Sequence, residues 1–184
     1  MMTQTPPDMQ SVVERNRGLL KKIELAIPGF RGYRKLEDLR IADNLLRIYI
    51  ADRLSRICME IEEVKGVVSK KLDLNLVSMV GEAENAIRIV EKRLRHAEQG
   101  YSGLVPDYKI SEDELLNLYS YDEKLLETIT ELEENVSSLQ GKAVVWSPED
   151  MEKVLSLILE NGKSLSRLLD ERRNCMLVSS GVNP

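Results

Sequence analysis

The sequence of 184 residues is poor in cysteine, in aromatic residues and in the residues that make turns. It contains two cysteines, six prolines, ten glycines and, as aromatic residues, one Trp, one Phe and six Tyr. Because the two cysteines are far apart and form no CxxC pair, the sequence excludes a disulfide framework and a cysteine-rich zinc module. The small numbers of glycine and proline argue against a loop-rich β-sandwich or barrel.

Long apolar runs are also missing. No uncharged apolar stretch reaches the ~18 residues that a membrane-spanning helix needs. Residues 1–10 contain no basic segment followed by an apolar one, which is the pattern of a secretion signal. We therefore expect a cytoplasmic protein in a reducing compartment.

Charged residues are abundant and unevenly distributed. They make up 31% of the chain, with a formal net charge of −5. Residues 1–71 carry 14 Lys and Arg against 10 Asp and Glu, whereas residues 72–184 carry 12 against 21. The two parts either pair within one fold or steer a charged partner. The pI near 5.2 argues against a dedicated nucleic-acid binder, and peripheral membrane contact through the basic first helix is a weak alternative.

Apolar residues recur at helical spacing through most of the chain. The pattern predicts an all-α fold of about five helices in an elongated antiparallel bundle. The predicted helices cover residues 8–27, 34–70 (the long helix), 76–99, 111–139 and 147–173. We expect a flexible N-terminus at 1–7, one bundle domain at 8–174 and a flexible tail at 175–184. Heptad spacing from Leu115 to Leu139 leaves an extended coiled-coil hairpin as an alternative.

Two of these helices have specific boundary signals. Ser111 with Glu114 three residues later is a capping pair that satisfies two backbone amides at a helix start. Ser147 followed by Pro148 predicts another start, because proline suits the first turn of a helix. Gly141 is the predicted end of the fourth helix.

Three charged residues occupy positions where apolar side chains would be expected. Asp43 and Arg47 lie in the apolar stripe of the long helix, and Arg40 lies at its edge. Asp43 precedes Arg47 by four residues, the order that favours an ion pair within one helix. Asp122 stands where the fourth helix would otherwise carry a core leucine. Because an unpaired buried carboxylate is costly, we predict that Arg47 or Arg40 faces Asp122.

The same residues allow three interpretations. A buried polar cluster, completed by a hydroxyl of Tyr33, Tyr49, Tyr119 or Tyr121, would fix helix register. An anion site would use the planar guanidinium groups to bind phosphate or carboxylate, with Arg31, Arg34 and Lys35 at its mouth. Acid and base catalysis by the two aspartates is the weakest interpretation, because no nucleophile or metal ligand set accompanies them.

We predict no catalytic residue, metal or cofactor. His96 is the only histidine, and no cysteine or acidic ligand pattern surrounds it. Gly29 and Gly32 are not part of a GxxxxGK[ST] phosphate-binding motif.

Two stretches together resemble a prokaryotic all-helical family. Residues 27–46 read IPGFRGYRKLEDLRIADNLL and are followed by Arg47, so a Gly-Tyr pair precedes spaced Arg, Ala-Asp and Leu-Arg elements. Residues 100–126 contain GYSGL and then DELLNLYSYDEKLL. The resemblance covers residues 27–147 and brings no established activity. It implies one shared arrangement of seven residues: Tyr33, Arg40, Asp43, Arg47, Tyr101, Tyr119 and Asp122.

These features favour a non-enzymatic helical interaction or scaffold module that contacts a protein partner or a second copy of itself. Such a module predicts an exposed apolar patch on one helix face. The first alternative is an anion or membrane-surface sensor with an arginine-lined site. The second is an enzyme with paired carboxylates.

Overall fold

The computed structural model describes residues 9–29, 36–96 and 112–179. These residues form five α-helices and contain no strand. The helices are α1 (Met9–Ala26), α2 (Leu36–Lys70), α3 (Leu74–His96), α4 (Glu112–Val145) and α5 (Pro148–Ser179). The predicted all-α fold is therefore confirmed.

Polar contacts between helices define their relative directions. α2 and α3 are antiparallel, as are α4 and α5, because residues later in one helix contact residues earlier in the other. α2 and α4 run parallel, as do α3 and α5. The antiparallel pairs are joined by Asp52–Arg95 and Lys65–Glu84 between α2 and α3, and by Asp122–Arg172 and Asn135–Asn161 between α4 and α5. The parallel pair α3 and α5 is joined by Asn75–Glu152 and Arg93–Ser166. The parallel pair α2 and α4 is joined by Arg53–Glu133, and Asp43 of α2 and Asp122 of α4 share Arg172 as a partner.

The four longer helices form a ring in the order α2, α3, α5, α4, and each packs against its two neighbours. Apolar stripes of these helices face the inside of the ring, and the largest fully buried side chains are all Ile or Leu. This packing places two helical hairpins side by side, α2–α3 against α4–α5. α2 and α5 therefore lie on a diagonal of the ring, as do α3 and α4.

α1 packs on α4, outside the ring. Ile23 and Ile27 are buried against the core, whereas Leu25 is exposed. Lys22 Nζ donates to Glu123 Oε1 of α4 at 2.5 Å. The basic first helix thus pairs with the acidic fourth helix at this contact, so part of the charge asymmetry of the sequence is satisfied inside one fold.

A buried glycine lets α3 and α5 approach each other closely. A Cβ atom at Gly162 would lie 3.1 Å from Ile87 Cδ1 and 3.4 Å from Ala86 Cβ. Both distances are short for carbon atoms in contact. The small residue at 162 therefore sets the spacing between these two parallel helices.

Two helices continue beyond their predicted ends. α4 passes through Gly141 and ends at Val145, and α5 continues past Arg173 to Ser179. A glycine inside a helix costs only ~1 kcal/mol, which the packing of the flanking turns offsets. α2, α4 and α5 contain 35, 34 and 32 residues, so α2 is only slightly the longest. The predicted flexible segment 1–7, the Ser111 cap and residues 180–184 of the predicted tail lie outside the described residues.

The turns between the hairpin helices contain two residues with left-handed backbone conformation, Leu72 with φ of 59° and Trp146 with φ of 53°. At the end of α4, Trp146 N donates to Ala143 O and Ser147 N donates to Lys142 O, which closes the helix in a Schellman motif. Such positions favour glycine, because a Cβ atom crowds the following carbonyl oxygen.

We predict that Leu72→Gly stabilises the protein by about 1 kcal/mol, because it relieves the strained backbone conformation of a side chain that is 83% exposed. Urea unfolding of the wild type and the variant measures this difference. The matched control is Val144→Gly, a helical position that is 85% exposed, where we expect a loss of about 0.5–1 kcal/mol. A loss of stability at both positions would contradict the prediction.

Candidate functional site

Asp43, Asp122 and Arg172 meet in the interior near one end of the bundle. Arg172 Nε donates to Asp122 Oδ1 at 2.5 Å, and Arg172 Nη1 donates to Asp43 Oδ1 at 2.5 Å. The relative exposure of Asp43, Asp122 and Arg172 is 5%, 0% and 5%. One guanidinium group is therefore shared by carboxylates from α2 and α4, and it connects α5 to both helices.

Arg47 extends this cluster on α2. Its Nε donates to Asp43 Oδ2 at 2.8 Å, so the structure contains the pair that the four-residue spacing predicts. Its Nη1 lies 3.5 Å from the carbonyl oxygen of Leu94 on α3. Side chains of the cluster thus reach all four helices of the ring. We call Asp43, Arg47, Asp122 and Arg172 the ionic cluster.

Asp122 has a partner that the sequence did not indicate. The structure places Arg172 against this carboxylate. Arg47 or Arg40 was the predicted partner, and because the Arg40 side chain lies outside the described part of the chain, that pairing stays a prediction. Arg172 is the last residue but one of the predicted helix 147–173. Because α5 continues to Ser179, Arg172 lies inside the helix, seven residues after buried Leu165 and on the same face.

The predicted tyrosines have different positions. Tyr119 is 3% exposed and lies on α4 less than one turn before Asp122. Tyr49 packs its ring 5.6 Å from the guanidinium carbon of Arg53, and Tyr121 has Lys124 Nζ 5.6 Å from its ring centre. Three predicted members lie outside the described residues or side chains: Tyr33, Arg40 and Tyr101.

The ionic cluster is balanced in charge, with two arginines and two aspartates. Each described arginine of the cluster already donates to an aspartate, which lowers the electrostatic attraction for a further anion. Acid and base catalysis needs a carboxylate that reaches a substrate, and both aspartates are buried. The geometry therefore favours the structural interpretation, and the anion site stays a prediction.

A third buried carboxylate, Glu84 on α3, is not among the residues that the sequence predicts. It accepts hydrogen bonds from Lys65 Nζ of α2 at 3.0 Å and from Arg88 Nη2 at 2.5 Å. Burial opposes ionisation of Glu84, but these two hydrogen bonds outweigh it and lower the pKa of the carboxyl group. The available signal was its position between Val80 and Ile87, inside the apolar stripe of α3.

Cys58 and Cys175 form no disulfide bond. Burial raises the pKa of the Cys58 thiol to about 11, and burial together with nearby Glu114 raises the pKa of Cys175. Since the thiolate is the nucleophilic form, neither environment activates its cysteine. Within the described ranges, no group of three or more His, Cys, Asp or Glu side chains is arranged to hold a metal ion.

The opposite end of the bundle exposes four aliphatic side chains. Leu72 and Leu74 belong to the α2–α3 turn and the start of α3, and they are 83% and 80% exposed. Val144 and Val145 end α4 and are 85% and 72% exposed. We call these four residues the apolar tip.

The two turns that carry the apolar tip are held together. Lys71 Nζ lies 5.4 Å from the ring centre of Trp146, a cation–π contact between the turns. Just beyond them, Asn75 Nδ2 donates to Glu152 Oε1 at 2.9 Å. The two turns that carry the four aliphatic side chains therefore adjoin each other at this end of the bundle, although they belong to different hairpins.

No protein-family model, curated protein or solved structure matches this chain. The family resemblance carried by residues 27–46 and 100–126 therefore stays a prediction. Across residues 9–29, 36–96 and 112–179, none of the helices has the length and apolar character that crossing a bilayer requires.

We predict that Arg172→Met lowers the free energy of unfolding by about 3–5 kcal/mol, because it removes the guanidinium group that donates to the buried carboxylates of Asp122 and Asp43. Chemical denaturation measures the loss. The control is Arg93→Met, which removes an exposed arginine paired with Asp170 between α3 and α5 and is expected to cost less than about 1 kcal/mol.

A compensating variant separates charge imbalance from lost packing. Asp122→Asn combined with Arg172→Met removes one charge of each sign and keeps the pair of Asp43 and Arg47. We expect this double variant to recover most of the stability that Arg172→Met loses. Equal losses for Arg172→Met and Arg93→Met would contradict the structural role of the cluster.

The lowered pKa of Glu84 predicts a defined pH dependence. A carboxyl group whose pKa is lower in the folded state than in the unfolded state stabilises the fold at pH values above its ordinary pKa of 4.5. This contribution is lost as the pH falls from 4.5 through the lower pKa of the folded state. Glu84→Gln should therefore cost about 1 kcal/mol at neutral pH and little in acid, because its partners are partly exposed. Urea unfolding of both proteins across this range measures the difference. A cost that is independent of pH would refute the prediction.

Proposed function

We propose that the protein is a non-enzymatic helical interaction module that binds a protein partner through the apolar tip. The observation that carries this proposal is the exposure of Leu72, Leu74, Val144 and Val145 on two adjoining turns. Single exposed aliphatic residues are common on protein surfaces, but clusters of them mark interaction sites. The sequence predicts an exposed apolar patch on one helix face, and the four residues of the apolar tip are more exposed than the aliphatic residues on the outer face of α2.

Other exposed aliphatic residues form a less pronounced surface. Ile41, Ile48 and Met59 lie along the outer face of α2 and are each about half exposed. Their spacing of seven and eleven residues places them on one line along the helix. They are separated by two or three turns, so they offer less continuous apolar area than the apolar tip and serve as matched controls for it.

The composition of the ionic cluster supports a binding role over a sensor or an enzyme. Arg47 and Arg172 are engaged by Asp43 and Asp122, and this arrangement stabilises the bundle that presents the apolar tip. A reducing, cytoplasmic location is part of the same proposal, and it agrees with Cys58 and Cys175 forming no disulfide bond.

Site-specific photo-crosslinking in the native host tests the proposal. A benzophenone amino acid at Leu72 or Val144 should form a covalent adduct with a protein, because each side chain would lie inside the interface. The control position is Leu25, which is 79% exposed but lies on α1, away from the apolar tip. Adducts from both tip positions and none from the control are expected. Absence of adducts at the tip, or equal yields at all three positions, would overturn the proposed function.

A further inference from the structure

The two turns that form the apolar tip differ in charge. The first turn, residues 70–75, has two lysines and one aspartate, which gives a net charge of +1. The second, residues 142–153, has two lysines and three acidic residues, which gives −1. Lys70 and Lys71 are exposed on the first turn, and Glu149 is exposed on the second. The α2–α3 turn is therefore net basic and the α4–α5 turn is net acidic, and Lys71 of the first lies against Trp146 of the second.

We propose that the apolar tip binds the apolar tip of a second copy of this chain, so that two bundles join end to end. This inference rests on the proposed function and names its partner. The two copies are related by a two-fold axis that lies in the plane of the tip, passes between the two turns and is perpendicular to the line that joins them. This rotation places each α2–α3 turn over the α4–α5 turn of the other copy. Such an interface is closed and symmetric, and it does not propagate into a filament.

Charge decides the orientation of this dimer. In the proposed arrangement, Lys70 and Lys71 of each copy face the side of the partner that carries Glu149. A two-fold axis along the line that joins the two turns would instead place the two basic turns against each other and the two acidic turns against each other. Like charges at close range oppose association, so the basic-to-acidic arrangement is the favoured one.

The exposed area indicates a weak dimer. Each aliphatic side chain of the tip contributes about 100 Å² of apolar surface, so the four provide about 400 Å² per copy and the dimer buries about 800 Å². Stable interfaces bury about 1,200–2,000 Å², and smaller ones are transient. We therefore expect a Kd on the order of 100 μM.

The tip is preorganised for such a contact. The cation–π contact between Lys71 and Trp146 and the hydrogen bond between Asn75 and Glu152 hold the two turns next to each other in a single copy. A surface that is already ordered loses less conformational entropy on binding. The small apolar area can therefore support measurable association.

Sedimentation equilibrium of the purified protein tests this inference at concentrations from about 10 μM to about 1 mM, on either side of the expected Kd. We expect the average mass to rise towards that of a dimer. The double variant Leu72→Glu with Val144→Glu should weaken association at least tenfold. The control, Ile48→Glu on the outer face of α2, should leave it unchanged. Circular dichroism checks that both variants keep the helical fold, which substitution of exposed side chains should not disturb.

Disulfide trapping tests the orientation. In a Cys175→Ser background, a mixture of the Leu72→Cys and Val144→Cys proteins should form mixed disulfide dimers faster than either protein alone. Faster linkage within one variant would overturn the proposed orientation.

The two proposals fail in different ways. A monomer up to the highest concentration, or a dimer that the tip variant does not weaken, would overturn the self-association. If photo-crosslinking at Leu72 and Val144 then captures a different protein, the interaction module stands without the dimer. If neither a dimer nor a tip adduct forms, both proposals are wrong.

Discussion

The bundle depends on one guanidinium group that two buried carboxylates share. Arg172 lies on α5, and its partners Asp43 and Asp122 lie on α2 and α4, so one side chain connects three helices. α2 and α5 are diagonal in the ring, and an arginine is long enough to span that distance. Burying three charges is unfavourable unless each is paired, which makes the arrangement specific for one register of the helices.

The two ends of the bundle consequently have different properties. One end is defined by the ionic cluster, where polar groups are buried and paired between helices. The other end has two short turns, a strained Leu72 and an exposed aliphatic surface. This arrangement suits an interaction module. The end with the ionic cluster maintains the fold, and the end with the exposed apolar groups binds the partner. This division underlies the proposed function.

The helices and part of the ionic cluster could be predicted from the sequence, because both follow from periodicity within one segment. Asp43 and Asp122 interrupt apolar stripes, and a charge at such a position requires a partner. Arg172 could not be predicted as a partner by that argument, since it is distant in sequence and its role depends on how far α5 extends. The apolar tip was missed for a similar reason, because Gly141 does not end α4 and Val144 therefore lies at the turn.

The central claim is that Asp43 and Arg172 stabilise the fold through each other. A double-mutant cycle with Asp43→Asn, Arg172→Met and the combined variant measures their coupling free energy by urea unfolding. The account predicts a coupling of about 1–3 kcal/mol, because the two groups share a buried hydrogen-bonded ion pair. Additive effects of the two substitutions, with a coupling near zero, would contradict it.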